Sequence, residues 1–265
     1  MGLLRKVVLK IVKATAFDTT IKHHYTGRKF SLNTYNHKGY WYHGANREAN
    51  TIKIFQSWVK PGDYVLEVGG HIGYFSTLYA DLVGKQGKVD VFEPSEKNAK
   101  YLERNIRLLG DLGSIVSVVK KGAGDVNQQL TFYIDPISGQ NNSFVPEFEG
   151  FMTSREQSAE TDAQTISETV DVVTLDSYLD GAMRFPNFVK IDVEGFEWNV
   201  VQGFKQTIEK TKPSLMIEIQ ADADKIFDFF YTQGYAIYND RLEEIGIFAD
   251  YKAKKTPNIF FKPKA

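Results

Sequence analysis

Five residues of the stretch VLEVGGHIGYF, residues 65 to 75, have types and spacing suited to holding a ligand: Glu67, Gly69, Gly70, His71 and Gly73. An acid at the tip of an apolar run, followed by glycines in the spacing E-x-G-x-x-x-G, offers a carboxylate and a bare backbone. A phosphate loop needs lysine and then serine or threonine after its glycines, whereas Tyr74 and Phe75 follow Gly73. A nicotinamide-binding turn reads G-x-G-x-x-G, but His71 replaces its second glycine and Tyr74 its third. A carboxylate there repels a pyrophosphate and favours a ligand that is cationic or neutral at that point. S-adenosylmethionine, with an amino acid tail and a sulfonium, meets the demand. Glu93 closes KVDVFEP twenty residues after Gly73 and is placed to take both ribose hydroxyls.

These residues need a scaffold. From residue 63 the chain alternates short apolar runs with longer amphipathic ones. DYVLEV, KVDVFEP, IVSVVKKGAG, FVKIDVEG and PSLMIEIQ read as strands. GYFSTLYADLV, SEKNAKYLERNIRLLG, FEWNVVQGFKQTIEK and ADADKIFDFFYTQG read as helices. LTFYID is a further extended segment, and AIYND with NIFFKPK suggests a closing antiparallel hairpin at the C-terminus. The alternation predicts an α/β, Rossmann-like fold, a mostly parallel sheet with helices on both faces. Ligands of such sheets bind outside the carboxyl ends of the strands, where Glu67 and Glu93 fall. Residues 136 to 169 break the rhythm, being polar with few periodic apolar positions; they read as a lid or substrate loop, or as a plain insertion. The expected division is an N-terminal helical and aromatic extension, residues 1–60, packing on a main domain of residues 61–265.

Composition narrows the partners. With 265 residues and 42% hydrophobic content a single large domain has an ample core. Thirty-two basic against thirty-three acidic residues give no bulk attraction to nucleic acid, so no nucleic-acid partner is expected. The absence of cysteine excludes disulfides, thiolate metal sites and a cysteine nucleophile, and fits a reducing, cytoplasmic setting. The apolar runs are too short to span a bilayer. Residues 1–16 place Leu3, Leu4, Val7, Val8, Ile11 and Val12 at helical spacing among Arg5, Lys6, Lys10 and Lys13. Such a helix either docks on the core or makes peripheral contact with an anionic membrane.

The blocks PGDYVLEVGGHIGYFS, VDVFEPSEKNAKYLERNI, FVKIDVEGFEWNVVQGF and PSLMIEI, in that order over about residues 48 to 220, resemble the FkbM-type methyltransferases. VDVVTLDSYL before the third block fits as well, and IDVEG followed by an acid, with IEI downstream, is specific within class I methyltransferases. The resemblance implies a seven-stranded sheet, S-adenosylmethionine as donor, and transfer to a hydroxyl, often of a sugar or sugar-bearing natural product. The family usually has Asp-Val-Gly-Ala-Asn where this chain has Glu67, Val68, Gly69, Gly70 and His71. Glutamate keeps the carboxylate and glycine removes bulk. His71 is the unusual substitution: a donor to the cofactor carboxylate, a base facing substrate, or a polar turn residue.

Methyl transfer to a hydroxyl requires alignment of oxygen, methyl and sulfur, and removal of a proton. Asp192 and Glu194 follow the fourth core strand at the ligand edge, and alternation puts them on one side if the chain stays extended. They are the candidate base, with His71 next; Asp192 also counts as a cofactor contact. Glu218 ends the fifth strand and, with Glu194, Asn142 and His43, is a candidate for the acceptor. A divalent metal bound by the rim carboxylates would lower the hydroxyl's pKa, although no metal motif is evident. Helix capping is the structural alternative for these acids, and Glu197 is expected to face out of the next helix. NTYNHKGYWYHGANR offers aromatic faces for a sugar ring, with His37 and His43 as candidate bases. His23 and His24 have no visible partner; Glu48 is a candidate to reach the cofactor, and Asn141, Asn142 and Ser143 to close over it. The expected activity is therefore O-methylation of a small-molecule or glycan acceptor. The alternatives are a cofactor-binding module without catalysis, or methylation of another small molecule or of RNA. Near-neutral charge and the lack of an N-P-P-Y-like run count against RNA.

Overall fold

The computed structural model describes residues 12–135, 137, 139–146, 148–151, 166–253 and 256–264. A hairpin comes first, β1 (Asp18–Lys22) pairing antiparallel with β2 (Lys29–Asn33). Two helices follow, α1 (Lys38–His43) and α2 (Ala49–Trp58). The alternating region then supplies β3 (Tyr64–Val68), α3 (Tyr74–Val83), β4 (Lys88–Phe92), α4 (Glu96–Arg107) and β5 (Val116–Val119). An excursion adds β6 (Gly122–Ala123), β7 (Gln128–Ile134) and β8 (Ile166–Val173), ending in the short α5 (Leu175–Tyr178). The chain returns through β9 (Phe188–Ile191), α6 (Glu197–Gln202), α7 (Lys205–Thr211), β10 (Ser214–Glu218), α8 (Ala223–Thr232), β11 (Tyr235–Tyr238), α9 (Phe248–Ala253) and β12 (Asn258–Pro263).

Seven strands form one sheet in the order β11-β12-β10-β9-β3-β4-β5. The five from β10 to β5 are parallel, and β12 lies between β10 and β11, antiparallel to both. The α/β architecture and the closing antiparallel pair are as expected. Strands buried on both faces explain the near-continuous apolar runs. On β3, Tyr64, Leu66 and Val68 face a core shared with Val200, Phe204 and Phe227. Val65 faces the other core, shared with Phe30, Ile52, Phe55 and Leu78. The N-terminal segment thus carries a hairpin as well as helices, and its apolar side chains are continuous with the sheet's own packing. Asn105 of α4 pins it, accepting from Ser31 N at 2.6 Å and donating to Ser31 O at 3.0 Å.

Two local expectations change. The polar segment ends earlier than residue 169, because Ile166 to Thr169 already pair with Ile134 to Thr131 in a second, three-stranded sheet, β6-β8-β7. FEWNVVQGFKQTIEK is two helices rather than one. The backbone of Gly203 approaches so closely that a Cβ there would lie 1.9 Å from Gly124 O. Among the described residues no helix is long and apolar enough to cross a membrane. The expected membrane or core contact of residues 1–16 falls mostly outside the described residues.

Candidate active site

The floor of the site follows from strand register. Glu67 of β3 is level with Lys190 of β9, which is level with Met216 of β10. Lys190 is only 1% exposed. Its ammonium donates to Gly69 O at 3.0 Å and pairs with Asp192 Oδ2 at 2.9 Å, with Glu67 Oε1 3.8 Å away. Burial opposes the charge, but Asp192 and Glu67 outweigh it and hold the ammonium above the usual lysine range. Glu67 is equally buried and accepts from Ser76 Oγ at 2.5 Å. Burial pushes its carboxyl up to about 7 in spite of Lys190. Glu67 lies beneath the clefts rather than on their walls, bracing α3 and Lys190.

The glycines are also explained by protein contacts. Gly69 has φ +87°, and a Cβ on it would sit 1.9 Å from the carbonyl oxygen of Asp192. The space freed by the missing side chain belongs to β9's end rather than to a ligand. A Cβ on Gly70 would meet Val91 at 2.2 Å. Gly73, φ +86°, presses on Leu102 and opens α3, and it lines neither cleft. Gly69 N and Gly70 N both donate to Phe92 O at 3.0 Å. His71, in left-handed backbone at φ 48°, donates its N–H to Glu93 Oε2 at 2.7 Å. Glu93 Oε1 accepts from Ser95 N at 3.0 Å. Burial lifts the Glu93 carboxyl to about 8 against these hydrogen bonds.

Two clefts open at the carboxyl ends of the strands. The first, of about 530 Å³, lies over β3 and β4 and includes Glu93, Asn98, Phe132, Asn142 and Phe144. Phe132 and Phe144, with ring centres 4.8 Å apart, supply an apolar wall for a flat ring. Asn142 is buried; its Oδ1 accepts from Asp135 N at 2.8 Å, while its buried Nδ2 has no hydrogen-bond partner. The second cleft, of about 840 Å³, lies toward β10 and includes Tyr40, Tyr74, Phe75, Glu218 and Asn258. Gly69, His71, Gln140, Asp192 and Glu194 line both. Residues 139–144 close the first cleft: Asn98 Nδ2 donates to Gly139 O at 3.0 Å and Ser143 Oγ to Glu194 O at 2.6 Å. The part of the proposed lid in residues 152–165 lies outside the described residues.

Acids gather at the seam between the clefts. Glu194 is in left-handed backbone, φ 54°, so the chain turns before it and simple strand alternation does not place it. Burial, and then the charge of Asp192, raise its carboxyl well above the usual range. The charge of Asp192, then burial, then Glu194 do the same to Glu218. Glu197 does not face out. It is fully buried, accepts from Gly195 N at 2.8 Å and Gln220 N at 3.3 Å, and burial lifts it to about 7. Among the described residues no three His, Asp or Glu side chains are arranged to hold a metal.

The remaining candidates sort by position. His43 ends α1 exposed and lines neither cleft. Asn142 lies on the first cleft, not the second. His37 and His23 are buried, each held down to about 4 mainly by burial, with His37 Nδ1 accepting from Asn33 N at 2.9 Å. Glu48 reaches the second cleft, where Asn258 Nδ2 donates to it at 2.9 Å. Lys190 and Asn258 were not anticipated, and Tyr40 was expected only as one of the aromatics of residues 33–47. A lysine within the apolar run FVKIDV was the one visible signal.

In an open α/β sheet, clefts along the carboxyl edge of the strands are where ligands bind. The model of the Methyltransferase FkbM domain matches residues 67–237, so the chain belongs to the FkbM methyltransferase family. It is 29% identical over 145 residues to Methyltransferase 1 of Beauveria bassiana, covering 53% of this chain and 57% of that protein. It is 34% identical over 74 residues to protein-L-isoaspartate O-methyltransferase of Aeropyrum pernix, covering 28% of each. The crystal structure of methyltransferase FkbM from Methylobacillus flagellatus superposes with TM-score 0.47 at 18% identity, over 79% of this chain and 50% of that one. The chain thus spans about half the length of the first and the third, and less of the second.

Proposed function

We propose that this chain transfers a methyl group from S-adenosylmethionine to a hydroxyl of a carbohydrate or glycosylated natural product. The observation that carries the reading is the shared wall of the two clefts, Gly69, His71, Gln140, Asp192 and Glu194. A donor in the first cleft and an acceptor in the second would meet there. S-adenosylmethionine, when bound, supplies a methyl group activated by positive sulfur. Glu93 and the unpartnered Nδ2 of Asn142 suit a ribose hydroxyl and a heterocycle nitrogen, and Phe132 with Phe144 suits the ring face. The acids of the seam suit the cofactor's ammonium and sulfonium, which would relieve their mutual repulsion.

Asp192 is the base best placed to take the acceptor's proton, because its carboxylate is fixed by Lys190 at the seam. Tyr40, Tyr74 and Phe75 offer aromatic faces to a sugar ring. His71 is a less favoured base, since its Nδ1 meets Tyr40 Oη at 3.0 Å. Incubation with methyl-deuterated S-adenosylmethionine and a glycan panel, followed by mass spectrometry, tests the reading. It expects one labelled methyl on a sugar hydroxyl. Label on nitrogen or carboxylate would move the acceptor class, and cofactor binding without any transfer would favour a non-catalytic module.

A further inference from the structure

Lys190 is costly for the fold. An ammonium is buried in a central strand between Phe188 and Ile191, where an apolar side chain would pack without desolvation. Its surroundings explain why it is there. Its acceptors are the Asp192 carboxylate on its own strand and the Gly69 carbonyl across β3, with Glu67 behind and the Phe75 ring centre 5.3 Å away. Gly69 and Asp192 already touch through backbone, and both line both clefts. One ammonium therefore ties the glycine loop to the acid at the seam. The charged groups around that acid come from every neighbouring element. Glu67 comes from β3, Glu194 from the turn after β9, Glu197 from α6 and Glu218 from β10, with Glu48, at the start of α2, within electrostatic reach of Glu218. Arg47 and His71 also line the second cleft, as does Tyr40 of α1, whose phenol feels both Lys190 and Asp192.

We propose that Lys190 is a positioning residue of the transfer site, locking Asp192 to the Gly69 loop and supplying the positive charge that offsets the acids of the seam. The inference rests on the methyl-donor reading above. Lys190 is the main cation within reach of Asp192, Glu67 and Glu218 at once, so its loss makes each further ionisation of the seam harder. A bound ammonium then meets a more protonated site at a given pH.

The test is calorimetric titration with S-adenosylhomocysteine from mildly acidic to mildly alkaline pH. It compares the wild-type protein with Lys190→Arg and with the charge-neutral pair Glu67→Gln/Lys190→Met. Wild-type affinity should rise with pH as the seam loses protons. In the double variant the rise should move to higher pH, leaving binding about tenfold weaker at neutral pH for each unit moved. Lys190→Arg should keep the wild-type curve; it also serves if the double variant does not fold, because a displaced curve there overturns the proposal. Binding weakened equally at every pH would mean packing alone and also overturns it, as would superimposable curves. Wild-type protein that binds no S-adenosylhomocysteine would instead overturn the methyl-donor reading, and this inference with it.

Discussion

Replacing Gly69 by alanine tests whether the first glycine serves the protein or the ligand. The residue sits at φ +87°, where a Cβ costs an L-residue about 1–2 kcal/mol. The added methyl would also lie 1.9 Å from Asp192 O, so β3 and β9 must part at their carboxyl ends. Overpacking of that kind costs about 1–3 kcal/mol. Together the two effects cost about 2–5 kcal/mol. Gly181 is the control. Its φ is +70° and an added methyl would meet nothing within 4 Å, so Gly181→Ala should show the backbone cost alone, about 1–2 kcal/mol. Urea unfolding of the two variants separates the contributions, and Gly69→Ala should be the less stable by at least about 1 kcal/mol. It should also bind S-adenosylhomocysteine more weakly, because Asp192 moves with the strand end. Equal destabilisation in the two variants would refute the steric argument. A purely ligand-facing role would lower binding with Gly69→Ala no less stable than the control.

Three further outcomes follow from the geometry. Asp192→Asn and Glu194→Gln should fold, and at saturating cofactor turnover on an acceptor found by the glycan screen should fall at least about a hundredfold in one of them; near-normal rates in both would move the base elsewhere. Asn142→Asp keeps the acceptor that caps Asp135 N but removes the unpartnered donor, so S-adenosylhomocysteine affinity should fall by about tenfold, and unchanged affinity would take Asn142 out of the site. Glu67 is raised to about 7 when folded against about 4.5 unfolded, so the cost of its burial is absent in acid and grows as pH rises through that window. Glu67→Gln should therefore gain stability relative to wild type between those limits in urea titrations, and a constant difference would contradict the assignment.

The strands were legible wherever both faces are buried, because DYVLEV, KVDVFEP and FVKIDVEG are apolar with few interruptions. β8 was not, since ISETVDVV keeps mostly exposed or half-exposed side chains and its pairing partner lies across residues 135–165. The site was legible as a set of acids and glycines on one sheet edge. Their roles depended on contacts far apart in sequence. Gly69 meets Asp192 and Glu67 meets Lys190 only once β9 lies beside β3. Glu197 misled for a local reason: the helix it opens begins buried, so its carboxylate turns back to Gly195 N and Gln220 N instead of outward.

The central claim, that the first cleft takes an adenosyl methyl donor, is tested most directly by calorimetric titration of the purified protein. S-adenosylmethionine and S-adenosylhomocysteine should each bind saturably at one site, with no requirement for nicotinamide. Saturable binding of NADH with no response to either adenosyl ligand would contradict the account.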